Sequence, residues 1–189
     1  MKRKGFTLVE LLIVIVVIGI LSAMMMLSST EAVTSAKASN IVSNFRNLKT
    51  AALAYYVDNL DYLETTAATD EDKKQLNLYN VAASGTTAGR KGIRVYLNET
   101  GGTLDEDNNT FTTDGFAYGV VVKKRTDGGD KLADAKWYLT CTVTDTKVQE
   151  KLAGRAKSVG LLETTTKTDT EGDAYKASTG TDSVYYLVR

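Results

Sequence analysis

The chain begins with an apolar stretch that carries no charge from Leu11 through Thr30. Because a helix rises ~1.5 Å per residue, a stretch of this length spans the ~30 Å hydrocarbon layer of a bilayer. Glu10 stands at its start, where an acidic side chain requires a cationic partner. An ordinary signal anchor, or a secretory peptide cleaved near Ala23, would leave Glu10 without a role.

Beyond Thr30 the apolar residues recur with the period of an amphipathic helix. They follow one another at steps of four and three residues and form one face, namely Ile41, Phe45, Leu48, Ala52 and Tyr55. No helix breaker separates the two patterns, so the sequence predicts one helix from Phe6 to about Asp58, ~80 Å long. The alternative is a separate short helix after a joint at Ser28 to Thr30.

The rest of the chain alternates strand-like runs with turn residues. Strands are predicted at 93–97, 116–124, 136–144 and 183–189, with a hairpin signal at Asp127-Gly128-Gly129. Helical spacing predicts a helix over 146–159, and an acidic first turn predicts a short one from about Asp70 to Asn80. Residues 84–89 and 163–182 are predicted to be exposed loops. The fold class is therefore α+β, a small antiparallel sheet against the upper half of the long helix.

The first ten residues combine a basic leader with the start of the apolar segment. Lys2, Arg3 and Lys4 precede the sequence Gly5-Phe6-Thr7-Leu8-Val9-Glu10, and Gly19 lies inside the apolar helix. The positive flank predicts a cytoplasmic N-terminus. This pattern resembles the type IV pilin and pseudopilin family, over roughly the first thirty residues.

The resemblance implies that prepilin peptidase cuts between Gly5 and Phe6 and methylates the new amine of Phe6. It implies a type IV pilin-like fold with a leader at 1–5, an apolar filament-core helix at 6–30, an amphipathic half at 31–60 and a head at 61–189. Within the head, it places a variable surface connection at 61–92. It further implies a single-pass precursor in the cytoplasmic membrane that later forms part of an extracellular pilus.

The implied partners are other copies of the chain in a helical homopolymer, the peptidase, the inner-membrane assembly platform and, before assembly, the bilayer. Glu10 is expected to approach the Phe6 amine of the next subunit, or alternatively the amine of its own chain. The function is then that of a pilus subunit, with a pseudopilin of a type II secretion system or of a DNA-uptake pilus as the alternative. A membrane-anchored module that displays its head alone is a further class, in which Glu10 would have no role.

The amino-acid composition limits which catalytic groups and cross-links the head can contain. The chain has no histidine and one cysteine, Cys141, so His-dependent catalytic groups and an intramolecular disulfide are excluded. The sequence predicts neither an enzyme nor a cofactor. Basic and acidic residues balance at 23 each, and removal of the three leader cations leaves a formal charge of −3. Nucleic acid is therefore not expected to be the main partner.

Two departures from common pilin features concern the helix and the head. Many pilins carry a proline in the membrane helix and a cysteine pair that closes a C-terminal loop, whereas this chain has no proline and no pair. The head must therefore be held by packing and hydrogen bonds. Cys141 lies in an alternating run and is predicted to be a buried apolar side chain.

The acidic cluster that comes nearest to a calcium loop has oxygen ligands at alternate positions, Asp105, Asp107 and Asn109. Thr110 stands where such a loop has its glycine, and Phe116 where it has its glutamate, so a solvated turn is predicted instead. A second cluster is basic and includes Lys123-Lys124-Arg125, with Arg90, Lys91 and Arg94 elsewhere. It is predicted to protect a strand end rather than to bind DNA.

Overall fold

One long helix runs through the structure, a computed structural model that describes residues 6–67, 92–97, 102–105, 110–123, 129–163 and 173–189. This helix, α1, spans Leu8–Asp58 and ends at Asn59, whose side-chain amide donates to the Tyr55 carbonyl at 2.9 Å. The predicted unbroken helix is confirmed, and a joint at Ser28 to Thr30 is wrong. The Thr30 hydroxyl donates to the Met26 carbonyl at 3.1 Å, which satisfies this polar side chain within the helix.

The two halves of α1 have different surroundings. Large apolar side chains from Phe6 to Met26 are half exposed or more, whereas the five residues of the predicted apolar face are all buried. By length and composition α1 can cross a membrane. The lower half thus lacks cover within the subunit, and the upper half forms part of the core of the head.

Within the described residues, the sheet has six antiparallel strands in the order β1-β2-β3-β4-β6-β5. Their bounds are Thr103–Asp105 for β1, Thr110–Thr113 for β2, Phe116–Lys123 for β3, Lys136–Val143 for β4, Leu161–Leu162 for β5 and Asp182–Leu187 for β6. Alternation sends Tyr118, Val120 and Val122 of β3 to the buried face and Ala117 and Val121 to the other. The predicted α+β fold of the type IV pilin kind is confirmed.

Aromatic side chains join the buried face of the sheet to α1. The Phe45 ring packs edge-on against Tyr118 at 5.7 Å between centroids and stacks on Tyr186 at 5.6 Å. Nearer the end of the helix, Tyr56 packs edge-on against Trp137, whose indole N–H donates to the Leu132 carbonyl at 3.1 Å. These contacts fix the sheet against the upper half of α1.

A short helix, α2, spans Leu60–Thr65, and a longer helix, α3, spans Thr146–Val159, as predicted, and packs on α1. The Asp145 carboxylate caps its first turn, and Gly160 ends it with φ +84°, a conformation that glycine adopts without strain. The Arg155 guanidinium donates to the hydroxyls of Ser39 at 2.7 Å and Ser35 at 3.2 Å. These bonds hold α3 beside the part of α1 that lies nearest the apolar half.

Several local predictions need correction. The segment Ile93–Tyr96 is a 3-10 helix and not a strand, because Ile93 is buried in the core and the Tyr96 hydroxyl donates to Asp58 at 2.8 Å. The long helix ends at Asp58, as predicted, but a short helix that was not predicted, α2 at Leu60–Thr65, follows the non-helical Asn59. Part of the predicted exposed loop 163–182 is in the core, where Tyr175 is buried. The predicted short helix at 70–80 and the loop at 84–89 lie outside the described residues.

Cys141 is fully buried on the inner face of β4, as predicted. Burial raises the pKa of its thiol to about 12, so the reactive thiolate is absent from the folded head at neutral pH. We expect iodoacetamide at pH 8 to leave Cys141 unmodified in the folded chain and to alkylate it in denaturant, as measured by mass spectrometry. Reductant should leave the melting temperature unchanged. Rapid alkylation of the folded chain would contradict this burial.

Candidate functional site

The first turn of α1 is held by two side chains that cap each other. The backbone N–H and the hydroxyl of Thr7 both donate to Glu10 Oε2 at 2.8 Å, and the Glu10 N–H donates to Thr7 Oγ1 at 3.3 Å. This capping box satisfies N–H groups that have no partner within the helix. Glu10 therefore has a structural role in its own subunit, in addition to any role between subunits.

Phe6 directly precedes this cap, and its side chain is 91% exposed. Gly5 lies outside the described residues. A cut before Phe6 would leave the Thr7 N–H in a peptide bond, so the capping bonds do not depend on the leader. Such a cut would create a new cationic amine on Phe6, one residue before the N-cap Thr7, where the Glu10 carboxylate is already in place.

The helix that follows is bare on every side over its apolar half. No charged residue occurs between Glu10 and Glu31 in the sequence. A Cβ added at Gly19 would meet no atom within 4 Å, so this position offers an open, low surface. Such a surface requires cover by lipid or by other apolar helices, since water solvates it poorly.

Residues 1–26 match the family model described as the prokaryotic N-terminal methylation motif. The chain carries the type IV prepilin cleavage and methylation signal. No curated protein and no solved structure matches the chain. The prepilin signal is that of a type IV pilin-like or pseudopilin precursor, implies processing by prepilin peptidase, and indicates a structural subunit rather than an enzyme.

The prepilin signal and α1 together fit a membrane-anchored precursor. The Thr7 and Glu10 contacts place the signal's acidic residue at the helix N-terminus, where the helix dipole also favours negative charge. The signal therefore forms part of one continuous element that extends into the head.

The other candidate residues that the structure describes do not form a site with Thr7 and Glu10. Asp105 lies at the exposed end of β1, whereas Asp107 and Asn109 lie outside the described residues. Of the basic cluster, Lys123 ends β3 and Arg94 lies in the 3-10 helix, on separate elements. Arg90, Lys91, Lys124 and Arg125 also lie outside the described residues.

Sequence reasoning missed Thr7. A threonine three residues before a glutamate at the start of an apolar run is the signature of a capping box, so the signal was present in the sequence. It also missed Gln149, a fully buried amide in α3, for which the helical pattern holds no signal.

Proposed function

We propose that this chain is a structural subunit of a type IV pilus filament, cut after Gly5 and assembled through its N-terminal helix. The observation that carries the proposal is the continuity of α1 from the prepilin signal, through an uncovered apolar half, into the core of the head. A simple anchor needs the apolar half, but it needs neither the prepilin signal nor the continuation of the same helix into the core of the head.

Before assembly, the apolar half lies in the cytoplasmic membrane with the basic leader on the cytoplasmic side. Lys2, Arg3 and Lys4 supply the positive charge that favours this orientation. The peptidase then reaches Gly5 from the cytoplasm, and the head lies on the opposite side of the membrane.

In the filament, the apolar halves of neighbouring subunits cover one another in place of lipid. Gly19 lets a neighbouring helix approach closely at that level, because small residues bring helix backbones together in apolar surroundings. Glu10 of an incoming subunit meets the Phe6 amine of its neighbour, and this charge pair sets the stagger between them. Subunits are added to the filament at the assembly platform of the inner membrane.

The experiment that tests this proposal is mass spectrometry of the mature chain together with electron microscopy of surface fibres. We expect an N-terminal residue Phe6 carrying one added methyl group, in chains recovered from fibres labelled by an antibody against the head. An N-terminus elsewhere, such as Met24, would contradict the processing step. Correctly cut chains that remain in the membrane without fibres would contradict the pilus and favour the pseudopilin alternative.

A further inference from the structure

The face of the sheet that points away from α1 contains an open groove of about 480 Å³. Its walls come from β2, β3, β4 and β6, with Asp105 of β1 at one edge, and five of the eleven described lining residues have small side chains that carry hydroxyls. Four threonines and a serine line it, namely Thr110, Thr112, Thr140, Thr142 and Ser183. The volume falls within the range of ligand-binding clefts in proteins.

The floor of the groove is Gly119, in the middle of β3. Gly119 pairs with Thr110 on one side and Thr140 on the other. A Cβ added there would lie 3.2 Å from the Thr140 methyl carbon and 3.9 Å from that of Thr110. Its φ lies outside the positive region, so the backbone does not require glycine at this position. Glycine weakens a strand interior and often marks a close approach by a ligand.

The groove is chemically suited to a ligand rich in hydroxyls. Each threonine and serine hydroxyl donates one hydrogen bond and accepts others. The half-buried ring of Tyr185 lies directly opposite Thr140, beside the floor, and adds an aromatic surface for an apolar ring face. Among the described residues that line the groove, the only charged side chain is that of Asp105, at the β1 edge.

A pair of lysines lies on the same face beyond one end of the groove. Lys123 of β3 lies directly opposite Lys136 of β4. On the outward face of these strands, this pair is the next one after Val121 and Tyr138. Like charges in such positions repel each other and destabilise a sheet. Neither lysine makes an ion pair in the part of the chain that the structure describes. The pair therefore favours a negatively charged group on whatever occupies the groove.

We infer that this groove binds an acidic oligosaccharide, with sugar rings over Gly119 and Tyr185 and a carboxylate towards Lys123 and Lys136. Strands rise ~3.4 Å per residue, so the lysines lie ~13 Å along the sheet from the floor, within reach of an extended oligosaccharide. DNA fits less well, because the described residues that line the groove include no basic side chain.

The groove lies on the opposite side of the sheet from α1. This step rests on the proposed function: if α1 lines the filament interior, the groove faces outward on every subunit. The grooves of many subunits can then bind one polysaccharide chain at the same time, so the overall affinity of the filament exceeds the affinity of a single groove.

The test uses the mature full-length chain in detergent micelles, so it does not depend on fibre formation. Isothermal titration with a galacturonic acid hexasaccharide is compared with neutral maltohexaose and with a twelve-base-pair DNA duplex. We expect the uronate to bind, with affinity that falls as salt rises, and maltohexaose to bind at least about tenfold more weakly. Binding of the duplex without the uronate would overturn the inference, as would no binding of the uronate.

Variants test the contributions of the lysine pair and of the groove floor separately. The double change K123Q and K136Q should weaken uronate binding about tenfold or more and leave maltohexaose unchanged, whereas the matched change K151Q on α3 should alter neither. G119V fills the floor and should abolish binding of both sugars. If G119V does not fold, Y185A, which removes the half-buried ring at the side of the groove, should weaken binding of both sugars. Unchanged uronate affinity in the lysine double variant and in Y185A would overturn the assignment.

Discussion

Subunits carrying Glu10→Gln are expected to be cleaved and inserted like wild type, yet to enter fibres about tenfold less often or worse. The reason is the charge on Glu10. A carboxylate beside the Phe6 amine of a neighbouring subunit gains an attraction that the low dielectric of the helix bundle strengthens. Glutamine removes this attraction. The measurement is the ratio of variant to wild-type chains in purified fibres from cells that express both.

The capping box makes this experiment sharper, since glutamine can occupy the third helical position of a capping box as glutamate does. Glu10→Gln therefore removes the charge and keeps the cap, and Glu10→Ala removes both. Thr7→Val is the matched control that weakens the cap and keeps the charge. We expect Glu10→Gln and Glu10→Ala to be similarly defective and Thr7→Val to assemble much better. If Glu10→Gln assembles normally while Thr7→Val fails, the role of Glu10 is to cap its own helix.

Replacing Gln149 with leucine should destabilise the head by about 2–4 kcal/mol, because three backbone groups lose a hydrogen-bond partner and one of them, the Val143 carbonyl, is buried. The Gln149 side-chain amide donates to the carbonyls of Val143 at 2.8 Å and Gly180 at 2.6 Å. Its Oε1 accepts from the Ser178 N–H at 3.2 Å. One buried side chain thus ties the segment before β6 to α3 and β4, in a chain that has no disulfide to do so.

Leucine keeps the volume of Gln149, so the loss reports hydrogen bonds rather than a cavity. The melting temperature, followed by the fluorescence of the buried Trp137, should fall by roughly 10 °C or more. Glu150→Leu, at the exposed neighbouring position on α3, is the control and should change it little. An equal melting temperature for Gln149→Leu would mean that Gln149 does not hold this segment in place.

The elements with strong periodicity could be predicted from the sequence. The Ile41 to Tyr55 face, the alternation of β3 and β4, and the Asp145 and Gly160 boundaries of α3 each depend on local pattern and capping chemistry. The charged residue at the start of an apolar run was equally visible, so the prepilin signal was found.

Other features depend on contacts between distant residues. β1, β2 and β5 have two to four residues each, too few for a period, and exist because each pairs with a neighbour. Ile93–Tyr96 has the apolar content of a strand, but Ile93 is buried in the core and Tyr96 bonds to Asp58 of α1. The sequence around Gln149 does not distinguish it from an exposed polar helix residue, because its burial depends on the distant segment around Gly180. The open space above Gly119 likewise depends on the threonines of two adjacent strands.

The continuity of α1 has a mechanical consequence. A helix of 51 residues is a rod of roughly 75 Å, and the head is packed directly on its upper half without an intervening flexible joint. A small tilt of the N-terminal end therefore becomes a displacement of several ångströms at the far end of the head. Load applied to the head would pass along the backbone hydrogen bonds of α1 to its first turn. The cap formed by Thr7 and Glu10 would then hold the last turn that bears this tension.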